Sequence, residues 1–188
     1  EDFGEGDTSW IPISNLEILP GGVNTNIWSV VIDQLGFVWV MSNSGVQGYE
    51  INGSSTIDLN PIRKSIDQFG NESPNNYLTN ISFDEGNRIK VDSQNNKWII
   101  TYNGVWVITG SGVFWPEENG ALGLNLENTG LLSNRVNDIA FDNQKGLAYL
   151  ATDKGVSIIE IPFADNPSIS QSMYISPNPF ILSEENDV

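Results

Sequence analysis

The sequence predicts an all-β fold assembled from one small antiparallel sheet used repeatedly. Three observations lead there. A motif of about twenty residues occurs three times, and self-similarity at such a period is the mark of a repeat architecture. Apolar runs of four to seven residues alternate with clusters of Asn, Asp, Gly and Ser, which reads as strands joined by turns. Helix signals are sparse throughout.

Each copy contains a strand-like run, an Asp that opens a short turn, a second run carrying an aromatic, a closing Gly and a third run. In the first copy these are Ile27–Ile32, Asp33, Phe37–Met41 with Trp39, Gly45 and Val46–Ile51. The middle copy has Ile89–Val91, Asp92, Trp98–Tyr102, Gly104 and Val105–Ile108. The last has Val136–Phe141, Asp142, the turn Asn143-Gln144-Lys145-Gly146, Leu147–Ala151 with Tyr149, then Gly155 and Val156–Ile161. Asp and the aromatic are six, six and seven residues apart, and the copies recur at spacings of 59 and 50. An Asp carboxylate accepts nearby backbone N–H groups and so nucleates a chain reversal. Gly36, Gly86 and Gly146 are placed to supply positive φ. Thr56–Leu59 and Val113–Trp115 are predicted as outer strands, giving four per sheet.

Trp98-Ile99-Ile100 and Val30-Val31-Ile32 are apolar on both strand faces, which predicts sheets covered on both sides rather than a sandwich with one wet face. Small sheets stacked around an axis, as in a β-propeller, meet that requirement. The excess over a usual blade length falls in two polar insertions, Ile62–Asn80 and Glu117–Thr129. Asn60–Phe69 is expected to hold a single helical turn at most. The fold class is thus all-β, a partial β-propeller of about three four-stranded antiparallel blades. Residues 1–163 form these blades, as part of a larger propeller. Residues 164–175, bounded by Pro162 and Pro177, read as a linker, and 176–188 as the start of a truncated C-terminal β-sandwich. The acidic opening EDFGEGDTSW has no apolar signal region, and the chain reads as a fragment of a longer protein.

Composition removes whole classes of function. The chain has 188 residues, no cysteine and no histidine. Disulfides, thiolate or imidazole metal sites, and Ser-His-Asp, Cys-His or HExxH chemistry are therefore excluded within it. A net charge of −16 argues against nucleic acid, whose phosphates need clustered Lys and Arg. No apolar run reaches membrane-spanning length, so direct insertion of this segment is not expected.

The candidate constellations read as structural. Trp39 and Trp98 occupy equivalent positions inside apolar runs and are expected in the core; Trp106 and Trp115 are less constrained. Asp33, Asp92 and Asp142 resemble a recurring calcium ligand. Each turn supplies one carboxylate, however, where a hard cation needs six to eight oxygens. The pairs Asp84-Glu85 and Glu117-Glu118 contain the two carboxylates of a glycosidase, with no pattern linking an acid to a base. Gly110-Ser111-Gly112 and Gly120–Gly123 are turn glycines without the Lys of a phosphate loop. No catalytic, cofactor-binding or metal residue is assigned, and the chain is expected not to be an enzyme and to need no cofactor.

The stretch GLLSNRVNDIAFDNQKGLAYLATDKGVSIIE from Gly130 resembles the two-component-regulator type of β-propeller repeat. The matching residues are Gly130, Leu131, Ser133, Asn134, Val136, Ile139, Asp142, Gly146, Thr152 and Gly155, with Tyr149 where that family prefers Trp. The middle copy keeps Trp98, Thr101 and Gly104; the first has Ser42 where Thr is usual. Further on, Tyr174–Phe180 (YISPNPF) resembles the opening of C-terminal domains in proteins of the Por, or type IX, secretion system. Together the two are similar to PorZ-like surface proteins.

The resemblance implies a noncatalytic binding or scaffold module at the periplasm or outer surface of a Gram-negative bacterium. Its partners would be a protein or glycan held by propeller loops, together with further blades of the same full-length chain. The alternative is the extracytoplasmic sensor propeller of a hybrid two-component signalling protein.

Overall fold

A computed structural model describes residues 11–117 and 122–164, and the backbone of 176–177. Four strands form a first antiparallel meander: β1 (Ile27–Ile32), β2 (Val38–Ser42), β3 (Gly45–Asn52) and β4 (Asp58–Pro61). A two-stranded hairpin follows, β5 (Lys64–Ile66) with β6 (Glu72–Pro74). The second meander is β7 (Arg88–Val91), β8 (Lys97–Thr101), β9 (Gly104–Ile108) and β10 (Phe114–Trp115). The third is β11 (Val136–Asp142), β12 (Leu147–Thr152), β13 (Gly155–Glu160) and β14 (Ser176–Pro177). The expected all-β architecture of three four-stranded sheets is thus present.

The motif repeats because its turns repeat. Asp33 Oδ1 accepts the Leu35 N–H at 2.9 Å, and Asp92 Oδ1 accepts those of Gln94 and Asn96, each at 2.9 Å. Asp142 Oδ1 accepts the Lys145 N–H at 3.1 Å. Each turn then needs a left-handed residue three or four places after the Asp. Gly36 (φ 84°) and Gly146 (φ 65°) fill that place, while Asn95 (φ 62°) does so in the middle copy. Asn tolerates this region because its short amide bonds locally. The second hairpin turn is a hydroxyl turn. Ser42, Thr101 and Thr152 accept the N–H two residues on, at 3.0, 3.0 and 3.2 Å. A register shift also recurs, between Ile27 and Ser29 and between Val136 and Asp138, six residues ahead of the respective Asp.

Returning chain clips onto the third strand of two sheets. Val46 and Tyr77 exchange both backbone hydrogen bonds, and so do Val105 and Leu124. Gly104 must be glycine here, because a Cβ would lie 2.4 Å from the Leu124 carbonyl oxygen.

Asn60–Phe69 departs from expectation. It contains the end of β4 and all of β5, because Lys64–Ile66 pairs with Glu72–Pro74 across a turn at Asp67. Among the described residues the second insertion holds one short α-helix, α1 (Leu126–Thr129), with a capping box between Asn125 and Asn128 and Gly130 left-handed at its end. Ser176 and Pro177 pair with Ile158 and Ser157 of β13. Residues 165–175 of the expected linker and 178–188 of the expected sandwich lie outside the described residues.

The chain divides into two compact units: residues up to Ile32 together with Gly36–Phe83, and Asp33–Leu35 together with everything from Asp84. In the second unit two sheets share one core. Trp98, Ile100, Val105 and Val107 of the second sheet meet Ile139, Ala148, Leu150 and Ile159 of the third, and all are at most 4% exposed. Trp98-Ile99-Ile100 is covered on both faces, as its sequence implies.

In the first unit Trp39 and Tyr77 pack at 5.8 Å between ring centroids. On the opposite face Val40, Tyr49 and Leu59 are covered by Ile18 and Leu19 of the N-terminal segment. On β1 the outward-facing Val30 and Ile32 are 59% and 66% exposed. Ile18 and Leu19 lie over β2–β4 and leave that strand open.

Candidate functional site

The sequence candidates do not converge. Trp39 and Trp98 are buried, as their repeat positions require, and Trp106 is buried with them; Trp115 is half-buried. Asp92 is fully engaged by its own turn. Beyond the two backbone bonds, its Oδ2 accepts the Asn96 amide and the Trp98 indole N–H, both at 2.8 Å. Asp142 lies below the usual carboxylate range because the Lys145 backbone and ammonium both favour its charge. These carboxylates hold turns. Asp84, Glu85 and Glu117 are exposed, and Glu118 lies outside the described residues. Among the described residues no three acidic side chains gather where a cation could sit. Gly112 and Gly123 have the positive φ of turn residues.

Two features were missed by sequence reasoning. The first is Asp67 at the tip of the β5–β6 hairpin. Its Oδ1 accepts the N–H groups of Phe69 and Asn71, and its Oδ2 the Asn71 amide, which repeats the Asp92 turn bond for bond. Those bonds, led by Asn71, hold its carboxyl below the ordinary range. The signal was available: Asp67-Gln68-Phe69-Gly70 matches Asp33-Gln34-Leu35-Gly36 in spacing and type.

The second is Lys97, 2% exposed, whose ammonium lies 3.1 Å from Asp33 Oδ2 and donates to the Asn95 carbonyl at 2.9 Å. Burial pulls its pKa below 10.5, and Asp33 partly restores it. The other copies carry Val38 and Ala148 at this position, so the break in the repeat was the cue.

The first sheet has a partly covered apolar face. Val30 and Ile32 on β1, Val38 and Val40 on β2, Gln47 and Tyr49 on β3 and Leu59 on β4 line up across the sheet's register. An N-terminal strap crosses part of it. Ser14 N–H donates to Ile57, Asn15 bonds both the N–H and the carbonyl of Leu59, and the Tyr49 hydroxyl donates to the Ile18 carbonyl at 2.7 Å. Burial raises the Tyr49 phenol well above its ordinary value. Beside the strap lies a shallow cavity of about 200 Å³, lined by Ile18, Leu59 and Pro61 and by the Lys64–Glu72 ion pair on the hairpin. Gln47 is fully buried, yet its Oε1 has no hydrogen-bond partner. An apolar floor and paired charges suit binding.

The architecture can be placed among solved structures. The chain is similar in fold to part of PorZ. That protein is described as an essential bacterial surface component of the type IX secretion system of Porphyromonas gingivalis. The likeness has a TM-score of 0.51 at 22% identity and covers 72% of this chain. The chain spans 17% of PorZ. The extracellular domain of a putative hybrid two-component system from B. thetaiotaomicron also matches, with TM-score 0.36, 16% identity, and 84% of this chain against 25% of that one. No protein-family model and no curated protein matches the sequence.

Proposed function

We propose that this chain is a noncatalytic β-propeller module of a cell-surface or periplasmic protein, serving as a binding scaffold in type IX secretion. The observation that carries the reading is the second unit. There two blade-type sheets stack through one shared apolar core, while the repeat's carboxylates are consumed by turns. A module organised this way offers loops and sheet faces to a protein or glycan. The fold likeness to part of PorZ supports the secretion context. No helix among the described residues is long and apolar enough to cross a membrane.

The test is twofold. Intact cells of the source organism are treated with a membrane-impermeant biotin reagent, and the protein's labelling is compared with that in lysed cells. In parallel, a deletion strain is assayed for release of type IX cargo. Labelling together with cargo retained inside the deletion strain is the expected result. Labelling with unimpaired release would remove the secretion role, and a protein found only in the cytoplasmic fraction would remove the whole reading.

A further inference from the structure

The sequence contains the pairs Asn52-Gly53, Asn103-Gly104 and Asn119-Gly120, of which the last lies outside the described residues. An Asn followed by Gly carries a latent reaction. The Gly backbone nitrogen can attack the Asn side-chain carbonyl, and glycine, lacking a side chain, hinders that approach least. What decides the outcome is whether the fold holds that nitrogen and fixes the turn around it.

The two described pairs stand in opposite situations. Asn103-Gly104 closes the β8–β9 turn and is bonded throughout. The Gly104 N–H donates to the Asn134 carbonyl at 2.7 Å, the Asn103 N–H to Thr101 Oγ1 at 3.0 Å, and the Thr101 hydroxyl to the Gly104 carbonyl at 2.8 Å. Asn52-Gly53 ends β3 and opens the turn to β4, within a run from 51 to 56 that is exposed at every position. Among the described residues nothing accepts the Gly53 N–H. The polar groups nearby are directed elsewhere. Asn52 faces Asp58 as the last pair of the ladder, while Ile57 gives its N–H to Pro12 and its carbonyl to Ser14. Both turns join consecutive strands of one sheet, at its end rather than on a face.

We propose that Asn52 is a site of spontaneous deamidation and isoaspartate formation, with water as the co-reactant. The Gly53 nitrogen bonds to Asn52 Cγ and gives up its proton as the side-chain amide leaves as ammonia, which closes a cyclic imide. Water then opens the imide at either carbonyl. One opening leaves an ordinary aspartyl residue; the other leaves an isoaspartyl linkage, which lengthens the backbone by a carbon. Either product adds a carboxylate across from Asp58, and like charges in facing positions destabilise a strand pair. Asp58 also accepts the Ser14 hydroxyl, so the repulsion falls where the N-terminal strap is fastened. The modification thus loosens the strap slowly and irreversibly. The inference stands on turn geometry and is independent of the secretion reading.

Ageing of the whole chain at mildly alkaline pH, followed by peptide mapping with electron-transfer fragmentation, tests it. Conversion at Asn52 is expected to be at least about tenfold faster than at Asn103, whose turn must first open. In urea the two rates should converge. Asn52→Gln should abolish conversion at that position and leave Asn103 unchanged, because the longer side chain closes its ring far more slowly. Modified chain, resolved by anion exchange, should show faster hydrogen exchange at the Ile57 N–H that is bound to Pro12. Equal rates at Asn52 and Asn103 in the folded chain overturn the proposal, as does an Asn52 that stays intact. So does a rate difference that persists in urea. Unchanged Ile57 exchange in the modified fraction overturns the loosening of the strap.

Discussion

Replacing Lys97 with Met tests whether the buried ion pair is read correctly. Met keeps most of the aliphatic stem and removes only the charge. Asp33, whose side chain is 0% exposed, then loses the ammonium at 3.1 Å. Breaking one side of such a pair typically costs 3–5 kcal/mol, roughly the desolvation of the charge left behind. With a urea dependence of about 2 kcal/mol per molar, the midpoint should fall by about 2 M. Tryptophan fluorescence follows the transition. The double variant Asp33→Asn, Lys97→Met should recover to within about 1 kcal/mol of wild type, since it removes the orphaned charge and keeps an oxygen for the Leu35 N–H. The pH profile supplies a second readout. Folded Lys97 has a pKa below 10.5, so as pH approaches that value the unfolded chain holds the extra proton and stability rises. Subtracting the Lys97→Met profile isolates that rise. A single variant within about 1 kcal/mol of wild type, or no recovery in the double, would refute the argument.

Trp98→Phe should cost about 1–3 kcal/mol in the same assay, because Asp92 Oδ2 loses the indole donor in a buried site; an unchanged midpoint would count against that bond. Gly104→Ala should destabilise more than Gly36→Ala. Both have positive φ, worth about 1–2 kcal/mol, but only at Gly104 would the new Cβ strike a backbone oxygen; equal losses would contradict the packing. Tyr49 and Tyr77 are both held above the ordinary 10.0 by burial. The folded state then keeps protons that the unfolded chain releases, so stability should fall as pH rises above 10. Phenolate absorbance from these two residues should appear at higher pH in the folded than in the unfolded chain.

The sheets were legible because each strand of the repeat is an apolar run bracketed by an Asp turn and a hydroxyl turn. Hydrogen bonds within five residues fix both turns, and sequence spacing reports such bonds directly. Lys64–Ile66 was not legible as a strand, since it carries one apolar residue and owes its shape to Asp67 and cross-strand backbone pairing. Asn95 hid the left-handed position behind a residue that is usually merely polar. Lys97 read as a solvated charge because its partner Asp33 belongs to a different repeat. Val30 and Ile32 have the composition of covered residues, and whether cover exists depends on what lies beyond the strand.

The backbone exchange of Val46 with Tyr77, and of Val105 with Leu124, has a consequence for synthesis. A ribosome delivers β3 well before the connector that carries Tyr77, and β9 before Leu124. Each meander therefore waits with Val46 or Val105 unsatisfied on one side until later chain arrives. Translation at about 5–20 residues per second makes that wait on the order of seconds, far longer than the microseconds a hairpin needs to form. A sheet that forms before its connector arrives is thus latched late, and while it waits it carries a free backbone rim.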